Sequence, residues 1–287
     1  MSKYLRDILK NINLGKDGIY SGLKASLPDQ KLEISLREMV ASKNYDNYLD
    51  SVSKSHSITV MDHEVVKFLK KMPKNSIILD IGGCWGWHWR KINIKRPDVK
   101  IIIIDFVRSN LIHAKNVLGK LIGTQVELVH ADAMDLPFEI NKNFNGFNGI
   151  WSVQTLQHIP KFSKAINEAY HLLLKNGHFI NYSLHNTPFN IFIFKIFRKK
   201  FHKKGVVEGS YYLERASNEQ IFILQKYFGK ENVTINYSET LFHPDLKFRF
   251  FGKKNNYFGY IDILISYFKP LAYLISRQSS FSAKKIK

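Results

Sequence analysis

Cysteine is nearly missing from this chain: Cys84 is the only one in 287 residues. A single thiol excludes an intrachain disulfide and any cysteine-based zinc site. The expected setting is therefore reducing and cytoplasmic. Acids are also scarce, 24 against 43 Lys and Arg, which gives a formal net charge of +19. That balance favours anionic partners: nucleic acid, a membrane surface or a phosphorylated substrate. A general enrichment in Lys, Ile and Asn would produce the same excess. No apolar run reaches the ~18–20 residues of a spanning helix. The segment 1–13 lacks the apolar core of a signal peptide, so contact with a membrane would be peripheral, at its inner face. Internal repeats and low-complexity linkers are absent. The histidines are scattered, without ligand spacing for a metal.

What is present is material for a core. Hydrophobic residues make up 45% and aromatics 14%, which excludes a disordered chain. The length suits one large domain, or one with appended pieces. The pattern changes near Lys74. Before it, 31–41 and 59–71 space apolar residues as helices do. After it, apolar runs at 76–81, 99–105, 125–130, 149–153 and 177–184 alternate with helical stretches at 87–95, 109–121 and 161–174. Such alternation predicts a parallel sheet covered on both faces. The run Ile101-Ile102-Ile103-Ile104 has no polar partner positions, as expected of a strand buried on both sides. Lys175-Asn176-Gly177 reads as a helix stop. Two inserts follow, at about 188–214 and 243–277, with a helix over 217–228 and strands over 232–237 and 279–286.

The chemistry concentrates in Leu79-Asp80-Ile81-Gly82-Gly83-Cys84-Trp85-Gly86. A strand ends in an acid and turns through glycines into a helical stretch. Glycines let backbone approach a ligand, and a new helix offers free N–H groups. A dinucleotide fingerprint starting at Gly82 would need glycine at Cys84 and Trp87, so a nicotinamide-dependent oxidoreductase is disfavoured. Asp80 can face a positively charged amino group. Asp105 ends the next strand and can accept from both hydroxyls of a ribose. Phe106 can lie against an adenine, and Asp132, after the third strand, can accept from its exocyclic amine. Three acids at three successive strand tips beside a glycine turn form one constellation.

On these residues the chain resembles the class I S-adenosylmethionine (SAM)-dependent methyltransferases. The likeness runs from about residue 74 to 184. It includes 131–138 and the segment Gly149-Ile150-Trp151-Ser152-Val153-Gln154-Thr155-Leu156-Gln157-His158-Ile159. The resemblance implies a Rossmann-like α/β fold with a seven-stranded, mostly parallel sheet whose last strand is antiparallel. Residues 1–73 become a helical extension and lid, with Tyr45, Asp46, Tyr48 and His56 ahead of the motif. Residues 74–287 become the SAM-binding domain carrying the two inserts. The cofactor implied is SAM, held by Asp80, Gly82, Gly83, Cys84, Gly86, Asp105, Phe106, Asp132, Ala133, Ser152 and Gln154. The family has glycine where Cys84 stands, and Gly83 is expected to supply the missing backbone freedom.

Methyl transfer from a sulfonium is an in-line displacement that rests largely on alignment. A general base matters only when the acceptor must lose a proton early. His158, just after the fourth strand, is the first candidate base and His185, ending the fifth, the second; each can instead be a structural histidine. The cluster Trp85, Trp87 and Trp89 can add cation–π attraction or simply pack. The acceptor is expected to be a small molecule, saccharide or lipid-linked compound, methylated on oxygen. Nucleic acid is disfavoured: no RNA-binding signature is present, and Ser152-Val153-Gln154-Thr155 stands where amino-group DNA methyltransferases carry an Asn/Asp-Pro-Pro-aromatic motif. The apolar stretches 188–204 and 260–275, the first beside Arg198-Lys199-Lys200, can lie on an anionic membrane or pack as core or as a dimer interface. A basic membrane-surface or nucleic-acid-binding protein on a degenerate nucleotide fold is the non-enzymatic alternative.

Overall fold

The computed structural model describes residues 3–23, 31, 34–39, 55–207, 209, 211–241 and 255–286. The apolar runs become the strands β3 (Ile77–Ile81), β4 (Lys100–Asp105), β5 (Val126–His130), β6 (Phe147–Val153) and β7 (Leu173–Leu184), all mutually parallel where they pair. The two predicted C-terminal strands are β10 (Val233–Ser238) and β11 (Gln278–Lys284). β11 runs antiparallel to both β7 and β10. The spatial order β5-β4-β3-β6-β7-β11-β10 reverses direction beside β3, where the chain first crosses from one half of the sheet to the other. In open α/β sheets that switch point, at the carboxyl ends of the strands, is where ligands bind.

Each central strand feeds two cores, because successive side chains point to opposite faces. Ile77, Leu79, Ile81, Ile102 and Ile104 enter one core, capped by helices Lys3–Leu9, Phe162–Leu172 and Asn218–Phe228. Ile78, Ile101 and Ile103 enter the other, beneath helices Ser57–Lys70 and Arg108–Leu118. The unbroken isoleucine run of β4 thus serves both layers.

Four expectations need correction. Among the described residues the sheet has nine strands, not seven. The added pair, β1 (Asn13–Leu14) and β2 (Tyr20–Ser21), is a hairpin whose second strand lies parallel to β5. The N-terminal region is therefore not purely helical; strands of two residues are too short to show alternation. The stretch 87–95 is a 3-10 turn, Trp87–Trp89, and then a short helix, Ile92–Lys95, rather than one helix. The helix before β7 stops at Leu172, ahead of the expected 175–177, and extended backbone starts at Leu173. Asn176 instead makes a left-handed turn inside β7 (φ 64°), and its N–H donates to the Lys285 carbonyl.

The first insert forms helix Pro188–Ile196 and a separate hairpin, β8 (Lys204–Val207) with β9 (Tyr211–Glu214). The second contributes helices Asn255–Tyr267 and Lys269–Ile275. The segments 24–30, 40–54 and 242–254, with Tyr45, Asp46 and Tyr48, lie outside the described residues.

Candidate functional site

The loop after β3 is built from its own acid upward. Gly82 takes a left-handed conformation (φ 70°), and the amides of Gly82 and Gly83 donate to the Ile104 carbonyl at 2.8 and 3.1 Å. The loop is thereby tied to the tip of β4. A side chain at Gly82 would collide with Thr155, and one at Gly83 with the Asp80 carboxylate. Gly86 (φ 66°) closes the turn against Leu118. Gly83 does not take the left-handed role expected of it. Cys84 does so itself, at φ 49°, and its amide donates to Asp105 Oδ2 at 3.0 Å. A non-glycine residue is held in a conformation that costs about 1–2 kcal/mol because an acid fixes its N–H. Burial pushes the Cys84 thiol well up, so it stays protonated at neutral pH.

The three acids occupy three strand tips, as expected. Asp80 lies beneath the loop and is 1% exposed. Its Oδ2 accepts from the Trp89 indole at 2.7 Å. Burial pushes its carboxyl up to about 7; the Trp89 hydrogen bond opposes this, and the nearby Asp105 charge adds to it. Asp105 accepts from Cys84, from the Val107 amide at 2.8 Å and from Asn110 Nδ2 at 3.3 Å. Burial raises it despite these donors. Asp132 accepts from the Met134 amide at 2.8 Å and is likewise raised by burial. A chain of net charge +19 therefore carries a floor of buried carboxyls at its sheet switch point, which is complementary to a cationic ligand.

The remaining expected ligand residues divide. Phe106 is half-buried after β4, and its carbonyl lies 3.1 Å from His130 Nε2. Ala133 is buried in the core, and Ser152 is fully buried, donating to the Ile81 carbonyl at 3.0 Å. Gln154, left-handed at φ 52°, stands at the tip of β6. Arg277 Nη2 donates to its Oε1 at 3.3 Å, and its Nε2 donates to Gln278 Oε1 at 3.2 Å. Arg277 Nη1 also donates to Glu239 Oε2 at 2.6 Å. The start of β11 thus holds the end of β6.

The two histidines sit in different places. His158 Nδ1 donates to the Tyr212 carbonyl at 2.8 Å, which leaves the lone pair on Nε2 facing Gln157 Nε2 at 3.1 Å. Its ring meets Tyr211 edge-on. Burial lowers its pKa to about 4, and the Arg37 charge adds to the effect. His158 therefore joins the first insert's hairpin to the site. His185 is packed between Tyr237 and Tyr273 and donates from Nε2 to the Tyr273 carbonyl at 3.0 Å. Burial lowers it to about 4 as well. The three tryptophans separate too: Trp89 is core, Trp85 donates to Asn110 at 3.3 Å, and Trp87 lies under Arg90 at 4.6 Å.

Sequence reasoning missed Arg37, Asn110 and Thr155. Arg37 lies in the helical stretch 34–39, its charge acts on Cys84, Asp105 and His158, and it rests over the Tyr211 ring at 5.7 Å. A piece of the N-terminal region thus reaches the site. His56 is buried elsewhere, 3.4 Å from Asp262. Thr155 Oγ1 donates to the Gly82 carbonyl at 3.1 Å; its place directly after Gln154 was the available signal. Among the described residues, no group of three or more His, Cys, Asp or Glu could hold a metal ion.

Residues 79–181 match the family model described as a methyltransferase domain. No curated protein matches the chain. Among solved structures, a methyltransferase from Haloferax volcanii, in complex with the Trm112 methyltransferase activator, superposes with TM-score 0.55 at 10% identity. The match covers 91% of this chain and 100% of that one. A SAM-dependent methyltransferase from Thermotoga maritima superposes with TM-score 0.53 at 14% identity, covering 88% and 99%. Phosphoethanolamine N-methyltransferase 2 from Haemonchus contortus, in complex with S-adenosyl-L-methionine, gives TM-score 0.46 at 18% identity over 78% of this chain. The chain spans about half of that enzyme's length, 53%. At these identities the likeness concerns the fold.

Proposed function

We propose that this chain, whose residues 79–181 match a methyltransferase domain, is a class I SAM-dependent methyltransferase that binds SAM at the carboxyl ends of β3 to β6 and passes its methyl group to a small-molecule, saccharide or lipid-linked acceptor hydroxyl. The observation that carries this reading is the trio Asp80, Asp105 and Asp132, buried at three adjacent strand tips around the Gly82–Gly86 turn in an otherwise cationic chain. When bound, SAM supplies a methyl group already activated on a sulfonium.

The chain's own residues divide the remaining work. Asp105, oriented by the Val107 amide and Asn110, accepts from the ribose hydroxyls in this reading. Asp132 and Phe106 border the adenine side, and Gln154 borders the transfer point. Asp80, sealed under Gly83, contributes negative charge close to the cationic end of the ligand. Arg37 covers the site from the N-terminal side. His158, neutral at neutral pH, carries its proton on Nδ1 and keeps the Nε2 lone pair on Gln157. An acceptor hydroxyl that displaces Gln157 would find a proton acceptor at the pocket edge, which supports methylation on oxygen. His185, committed to Tyr273, has a packing role.

Thermal unfolding with SAM and S-adenosylhomocysteine, on wild type and Asp105→Ala, tests the cofactor. A ligand at about a hundred times its dissociation constant adds ~2.7 kcal/mol to the folded state. A rise in Tm that Asp105→Ala abolishes supports the reading, and no rise at saturation removes it. Mass spectrometry of products formed from labelled SAM and hydroxyl-bearing acceptors then tests the linkage; an N- or C-linked methyl would overturn O-methylation.

A further inference from the structure

The two inserts place three helices together, because Lys269–Ile275 packs against both Pro188–Ile196 and Asn255–Tyr267. Two of them bury a polar side chain and leave large apolar ones exposed. Helix Asn255–Tyr267 buries its one acid beside Ile263: Asp262 is fully buried and accepts from the Thr240 and Leu241 amides at 2.9 Å each. Asn256 and Tyr267 reach Thr59 and His63 of the body. Its outward face carries Tyr260 and Leu264, exposed by 62% and 69%, and Phe268 follows at 63%. Helix Pro188–Ile196 buries Asn190 and exposes Phe192 and Ile196, with Phe197 next. Helix Lys269–Ile275 buries only Ala272 and exposes Leu271 and Leu274. In water, amphipathic helices bury the apolar side and expose the polar one. Here large apolar side chains stay exposed while Asp262 and Asn190 are buried, and a contiguous apolar patch of this kind marks an interaction surface.

Charge decides the occupant. Between Pro188 and Lys204 there is no acid, against six Lys and Arg, and Arg198, Lys199 and Lys200 are exposed directly beside Phe197. The one acid of 255–275, Asp262, is buried. A second copy of the chain would bring the same cationic rim against itself. An anionic lipid surface complements both parts, taking the apolar face into its interface while the rim meets the headgroups. Tyrosines at 257, 260 and 273 suit that level, where an apolar ring ends in a polar group. No single helix among the described residues is long and apolar enough to cross a membrane, and the pair Asn256–Tyr267 and Lys269–Ile275 bends by 116°. These helices can lie along a surface.

We propose that the outward faces of helices Pro188–Ile196, Asn255–Tyr267 and Lys269–Ile275, with the basic run Arg198–Lys200, dock this protein on an anionic lipid bilayer.

The test is co-sedimentation of the full chain with phosphatidylcholine vesicles, with and without phosphatidylglycerol. Wild type should partition onto the anionic vesicles and much less onto neutral ones. Raising salt from about 0.1 to about 1 M, which shortens screening from about 10 to about 3 Å, should weaken it. Lys199→Gln with Lys200→Gln removes two basic contacts and should cost about thirtyfold in partitioning. Phe192→Ser with Phe197→Ser should cost at least about tenfold. Both double variants alter exposed side chains, so their melting curves and their response to S-adenosylhomocysteine should match wild type. That control keeps docking separate from cofactor binding. No wild-type binding to anionic vesicles overturns the proposal, as does binding indifferent to the phenylalanine changes. A lipid-free dimer that Phe192→Ser with Phe197→Ser converts to monomer, without vesicle binding, would assign the face to self-association instead.

Discussion

Asp80→Asn should stabilise the ligand-free protein at pH 8 and not at pH 5. Burial lifts the Asp80 carboxyl from 3.8 to about 7. The folded state therefore holds an extra proton between pH about 4 and 7, and stability falls as pH rises through that window. A shift of roughly three units corresponds to about 4 kcal/mol once the group is ionised, and to under about 2 kcal/mol at pH 5. Asparagine keeps a carbonyl oxygen for the Trp89 indole but adds a buried amide, at a cost of about 1–3 kcal/mol when it lacks a partner. The net gain is about 2 kcal/mol at pH 8 and about zero at pH 5. For a chain of this size the pH 8 gain is about 4–8 °C in Tm. The same residue should govern the ligand: a cation favours ionised Asp80, so affinity for SAM should rise with pH up to about 7 and level off above it. Asp80→Asn should flatten that profile. Calorimetric melts at the two pH values and titrations across the range measure both effects. An equal Tm change at pH 5 and pH 8, or an unchanged affinity profile in the variant, would refute the reasoning.

Cys84→Gly should stabilise the fold by about 0.5–1 kcal/mol, since the left-handed strain at φ 49° exceeds the entropy cost of glycine. It should also retain SAM binding, and a loss of binding would show the side chain to be part of the site. Arg277→Met strands the buried Glu239 carboxylate and should cost about 3–5 kcal/mol at neutral pH. The deficit should shrink at lower pH, because burial already raises Glu239 and protonation neutralises it. Adding Glu239→Gln should recover most of the loss, and a double variant as unstable as the single one would show that the pair's charge is not the cause.

Apolar runs and their punctuation alone carried the central strands, the switch point and the acids. Isoleucines on both faces of β4 leave no other buried arrangement, and chain order then puts Asp80, Asp105 and Asp132 at three adjacent tips. Local pattern could not decide what depends on distant partners. Cys84, not Gly83, takes the left-handed turn because Asp80 lies where a side chain on Gly83 would go and Asp105 holds the Cys84 amide. His158 and His185 look alike in the sequence, yet one is tied to the first insert's hairpin beside the site and the other is shut between Tyr237 and Tyr273. Helical spacing over 31–41 announced a helix but not that Arg37 would lie beside the site. An apolar helix in the sequence predicts burial, and only tertiary packing shows that Asp262 and Asn190 take the inward positions. With the interior already filled by the two sheet cores, Tyr260, Leu264 and Phe192 are left facing out.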